Sequence, residues 1–153
     1  MTAEGQSDYY ASSKCMRKLF THQENLAYIE TQNLHPYPKM ICDLMFEHEN
    51  NIDRLANCYR SSQAGYDQAM IYRSARGGDN KYFLVEWDTP SKKVYKSRTM
   101  TGHPKPQCRL DTYLRGAACS LSHNDDFDLT RTDLEQGACH RGMNNEDLSL
   151  IHI

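Results

Sequence analysis

Apolar residues recur at helical spacing along 39–59 more regularly than anywhere else in this chain. Ile41, Leu44, Met45, His48, Ile52, Leu55, Ala56 and Tyr59 fall on one face. Such a stripe predicts an amphipathic helix with a core on one side of it, and Asn50-Asn51 is the point where that helix would break in two. Ser61 or Ser62 then caps a shorter helix over 63–75, which presents Tyr66, Ala69, Met70 and Arg73. Gly77-Gly78 ends it, because glycine readily takes the left-handed conformation past a helix end.

Upstream, Ser7 is placed to cap a first helix running to Phe20. Thr21-His22-Gln23-Glu24 has the capping-box pattern, in which hydroxyl and carboxylate each satisfy an orphan amide. A second helix, or one continuous helix with a polar kink, is expected to run to about Gln32, ended by Asn33 and the prolines at 36 and 38. The material for packing these helices is unusual. Leu, Ile, Val and Phe together make up about 16% of the 153 residues, below the roughly 20% of a well-packed globular chain. Ten tyrosines and seven methionines must supply much of the core.

Residues 82–88 carry the clearest β pattern. Phe83, Val85 and Trp87 alternate with Tyr82, Leu84 and Glu86, a period of two that predicts a strand. Thr89-Pro90-Ser91 reads as a turn and 93–100 as the return strand. A short helix is expected around 110–118, followed by a loose acidic segment. The expectation is an α+β fold of three to four helices followed by a basic β-hairpin. Its parts are an N-terminal helical segment (1–37), a helical and hairpin core (38–118), an acidic segment (119–147) and the last six residues (148–153). Those six, Leu-Ser-Leu-Ile-His-Ile, resemble the translation of a transposase adaptor used in DNA sequencing. The native residues are therefore expected to stop near Asp147, in the N-terminal part of a longer protein.

Charge is uneven in a chain whose net charge is −2. From Arg73 to Arg109 there are nine Lys or Arg against three acids, a local excess of +6. From Ser120 to Asp147 the balance reverses, with seven acids against Arg131 and Arg141. A basic ribbon with aromatic residues suits a polynucleotide: cations release condensed counterions and rings stack on bases. The expected phosphate contacts are Arg73, Arg76, Lys81, Lys92, Lys93, Lys96 and Arg98, with Tyr82, Trp87 and Tyr95 as stacking platforms. Helix, turn, helix and basic hairpin over 39–100 resembles the layout of winged helix-turn-helix domains. That resemblance implies a recognition helix at 63–75 and a wing at the hairpin. The partner expected is thus DNA or RNA. The alternative is a protein-interaction or oligomerisation domain that uses helix 39–59 for a partner or a second copy.

Other chemistry finds little footing. Cys119 and His123, Cys139 and His140, and Cys108 and His103 contain zinc-ligand types, yet no Cys-x-x-Cys pair occurs. His48 reads as a core or boundary histidine, since the second histidine of a zinc-protease helix is missing. No cofactor site and no catalytic constellation is found. The stretch from Met1 to Ser7 is short and polar, and no apolar run reaches the ~20 residues of a membrane span. Six scattered cysteines are accordingly expected as free thiols in a reducing, cytoplasmic compartment.

Overall fold

In the computed structural model, residues 3–31, 33–77, 83–91, 103–124 and 139 are described. Among them are five α-helices and no β-strand. Helix α1, Ala3–Tyr10, is prolonged by a π-helical turn, Ala11–Cys15, and a 3-10 turn, Met16–Lys18. Then come α2, His22–Thr31, α3, Pro36–Phe46, α4, Ile52–Ala75, and α5, Pro106–Ala117.

Local chemistry accounts for most of these boundaries. The capping box before α2 forms as expected: the Thr21 amide donates to Glu24 Oε2 at 2.7 Å, and the Glu24 amide donates to Thr21 Oγ1 at 3.3 Å. These bonds hold the Glu24 carboxyl below the usual range. The prolines at 36 and 38 open a helix as well as following one. Pro36 occupies the first turn of α3, where a missing amide costs nothing, and His35 Nδ1 accepts from the Tyr37 amide at 3.3 Å. The break at Asn50-Asn51 is real. Asn50 adopts a left-handed φ of 49°, and Asn51 caps α4 by accepting from the Arg54 amide at 3.2 Å.

Ser61 and Ser62 do not start a new helix. Both are fully buried inside α4, and Ser62 Oγ donates back to the Cys58 carbonyl at 2.8 Å. A serine whose hydroxyl finds a carbonyl one turn earlier continues a helix and does not cap one. The helix-turn-helix expected over 39–75 is therefore a short α3 and an unbroken α4, with no separate recognition helix among the described residues.

The expected hairpin is also corrected. Residues 83–91 run as a 3-10 residue, an irregular stretch and a turn, with no strand partner among the described residues. Their alternation is nevertheless genuine: Val85 and Trp87 are buried while Leu84 and Glu86 face outward. What differs is the identity of the backbone's partners. Gln107 Oε1 accepts from the Glu86 amide at 2.7 Å, and Gln107 Nε2 donates to the Glu86 carbonyl at 2.9 Å. The Ser91 amide donates to Asp111 Oδ2 at 2.7 Å. Side chains of α5 thus stand where a second strand's peptide groups would be. Period two reports which face is buried, and it carries no information on what satisfies the edge. Residues 93–100, the expected return strand, lie outside the described residues.

Helix α5 is the centre of the molecule and packs chiefly on α4 and α1. One apolar cluster joins Ile41, Ala69, Val85, Trp87, Leu110, Leu114 and Ala118. A second joins Cys42, Phe46, Cys58, Tyr59 and Ala117. Much of the apolar face expected on 39–59 is spent here, with Ile41, Ala56 and Tyr59 buried. Close approach compensates for the lack of bulky residues. A Cβ at Gly65 would overlap Tyr113, and one at Gly116 would overlap Ser12 Oγ and stand 2.7 Å from the Tyr9 carbonyl oxygen. Gly65→Ala and Gly116→Ala are each expected to destabilise the fold by about 1–3 kcal/mol through overpacking. Urea unfolding checks this, and wild-type midpoints in both variants would show that the helices part freely.

Cysteine usage overturns the free-thiol expectation. Cys42–Cys58 and Cys119–Cys139 are disulfides, whereas Cys15 and Cys108 are free. The first bridge clamps α3 to α4 inside the second apolar cluster. The end of α5 is secured differently. Arg17 donates to the carbonyls of Ala117 at 3.1 Å, Leu121 at 2.8 Å and Cys119, closing orphan acceptors at a helix C-terminus. Burial, reinforced by the charge of Arg54, lowers the Arg17 pKa to about 10.

Candidate functional site

A groove of about 690 Å³ opens between the segment leading into α3, the middle of α4 and residues 85–88. Each wall has a local cause. Pro36 starts α3 abruptly and leaves Asn33, Leu34 and His35 as an extended rim. Tyr66 and Gln63 lie one turn apart on α4 and so share a face. Glu86 is held by its two bonds to Gln107, and the segment beyond Asp88 by the bond from Ser91 to Asp111.

Three rings organise the interior. The Tyr66 and Trp87 rings stack with centroids 5.1 Å apart and planes 14° from parallel. The His35 ring stacks on Trp87 at 6.0 Å and 22°. Trp87 is only 8% exposed and forms the floor, while Tyr66 is half-buried and His35 lies open to solvent. The groove is also negative. Glu86 and Asp88 are exposed at its edge, and no Lys or Arg lines it among the described residues. Behind the wall, burial raises the Tyr37 phenol pKa, and the charges of Asp111 and Asp88 raise it further.

Asp111 is the buried keystone. It is 4% exposed and accepts from Ser91 and from Gln107 Nε2, the latter at 2.8 Å. Burial outweighs those two bonds and raises its pKa to about 6. A carboxyl raised above its unfolded value binds a proton more tightly when folded. Its contribution to stability is therefore complete below about pH 4 and is lost as pH rises through about 6. The stability difference between wild type and Asp111→Asn should change by roughly 2–3 kcal/mol across that window. Urea titrations at pH 4 and pH 7 measure it, and a pH-independent difference would contradict the assignment.

Of the ten residues expected to bind nucleic acid, the described ones do not form a ribbon. Arg73 sits in the last turn of α4 and Arg76 at its C-cap, 5.9 Å from the Phe83 ring centroid. Trp87 is buried, stacked with Tyr66 and His35 and flanked in sequence by two acids. Lys81, Tyr82, Lys92, Lys93, Tyr95, Lys96 and Arg98 lie outside the described residues, as do 125–138 and 140–147 of the acidic segment and the six terminal residues. Arg109, the last cation of the basic stretch, is turned inward. It is 6% exposed, donates to Asp8 Oδ1 at 2.6 Å, and its guanidinium lies 3.8 Å from the Tyr72 ring centroid. The zinc candidates Cys119 and Cys139 are joined to each other and supply no thiolate. His48 falls in the 3-10 turn Glu47–Glu49, and its side chain lies outside what is described.

Sequence reasoning missed His35, Gln63 and Asp111 altogether and gave Tyr66 no site role. One signal was present: the sole tryptophan stands between two acids, a poor setting for phosphate. No family model, curated protein or solved structure matches this chain. Among the described residues, no helix is long and apolar enough to cross a membrane.

Proposed function

We propose that this is a disulfide-braced helical recognition domain whose site is the groove floored by Trp87. The observation that carries the reading is the stacked Tyr66–Trp87 pair in the wall of a ligand-sized concavity. Concave sites with clustered rings and a few polar groups are the usual form of a binding site. The polar groups here are Asn33, His35, Gln63, Tyr66, Glu86 and Asp88; the His35 ring accepts a bond from the Tyr37 amide, and the reading is binding and not turnover. The two disulfides support an oxidising compartment in place of the cytoplasmic one expected.

Trp87 is the chain's only tryptophan, so its emission reports directly on the groove. Titration with tetra-arginine, tetra-citrulline and tetra-glutamate amides is expected to move that emission for at least one peptide. Tyr66→Ala should weaken the response roughly tenfold, because a stacked ring contributes on the order of 1 kcal/mol. No response to any of the three, or an unchanged one in Tyr66→Ala, would remove the groove from consideration.

A second reading keeps a polynucleotide as partner, and the excess of positive charge between Arg73 and Arg109 favours it. Binding of a fluorescein-labelled oligonucleotide should then appear at low salt and fall steeply as salt rises. Flat anisotropy at low salt would end that reading.

A further inference from the structure

We infer that the Trp87 groove selects a cationic group, a guanidinium or ammonium on a peptide side chain, over neutral and anionic ligands. The inference rests on the groove being a binding site and adds the charge of what enters it. Its ground is complementarity. Tyr66 presents a half-buried ring whose face is electron-rich, and the Trp87 indole lies stacked behind it. A cation within about 6 Å of such a ring is attracted by its quadrupole. At the rim, Glu86 and Asp88 are both exposed. The backbone of Glu86 is fixed on both sides by Gln107, while its carboxylate has no partner among the described residues. Among the described residues, Asp88 Oδ1 has only a long 3.4 Å bond from the neighbouring Thr89 hydroxyl. The backbone that carries the Glu86 carboxylate is thus already fixed, so no backbone ordering is needed there on binding. Gln63 also faces the groove, and its amide nitrogen is already engaged by Asp67 at 2.9 Å.

No Lys or Arg among the described lining residues offsets those acids, and they repel an anion that enters here. A neutral ligand of equal shape keeps the ring contacts and forfeits the charge. Arginine and citrulline side chains form that pair, since they differ by a single replacement of nitrogen with oxygen.

Titration of the whole chain, followed by Trp87 emission at low salt, decides the matter. Tetra-arginine amide is expected to bind roughly tenfold more tightly than tetra-citrulline amide, and tetra-glutamate not at all. Glu86→Gln with Asp88→Asn should bring arginine down to the citrulline value while leaving citrulline unchanged. Equal affinity for arginine and citrulline, both lost in Tyr66→Ala, would overturn the charge preference and leave the groove standing. Arginine binding that persists in Tyr66→Ala would locate the peptide elsewhere and overturn both. A response to none of the peptides would do the same.

Discussion

Arg109→Met is expected to lower the unfolding free energy by roughly 3–5 kcal/mol, the cost of stranding a buried charge. Arg109 on α5 and Asp8 on α1 are 6% and 3% exposed, and they meet at 2.6 Å. Glu4 approaches the same guanidinium at 3.5 Å and also holds His103 at 2.5 Å. Removing the guanidinium leaves Asp8 in an apolar setting, where burial already raises its pKa against the pull of Arg109. The carboxyl would then fold only by taking up a proton, and the loss should shrink in acid. The double variant Arg109→Met with Asp8→Leu is expected to recover most of the stability, because replacing both partners leaves no orphan. Guanidinium unfolding of the two variants at pH 5 and pH 8 tests this. A single variant within 1 kcal/mol of wild type would show that α1 is not anchored through this pair.

The second large effect belongs to the bridge between Cys42 and Cys58. It closes a loop of 16 residues, and constraint of the unfolded chain is worth about 3 kcal/mol for a loop of that length. Both half-cystines are buried beside Phe46, Tyr59 and Ala117, so the paired substitution Cys42→Ala with Cys58→Ala also removes core volume. We expect a loss of about 3–5 kcal/mol in urea. A thiol count comes first: the unfolded, unreduced chain should react at Cys15 and Cys108 alone. Six reactive thiols would restore the reducing compartment and cancel the stability effect.

How much of this was legible in the residues follows a physical divide. The capping box at Thr21–Glu24 and the break at Asn50-Asn51 were readable because both are contacts within a few residues. The buried face of 83–91 was readable for the same reason, since alternation is a local property. The Gln107 amide that replaces a strand lies 21 residues from Glu86, and no periodicity marks a side chain acting as a backbone partner. Ser61 and Ser62 misled because the same hydroxyl caps a helix or continues one, and the choice depends on the packing that buries it, which for Ser62 includes Cys42 on α3.

The sequence by itself determined the capping box that opens α2, the break at Asn50-Asn51 before α4, which of residues 83–87 turn inward, and where positive charge accumulates along the chain. Only the tertiary structure decided which cysteines pair, that Arg109 turns inward to Asp8, and that Tyr66, Trp87 and His35 come together with Glu86 and Asp88. The reason is range. Hydrogen bonds within a turn are encoded by neighbours, whereas charge pairing, disulfide choice and ring stacking depend on distances set when α5 settles between α1 and α4.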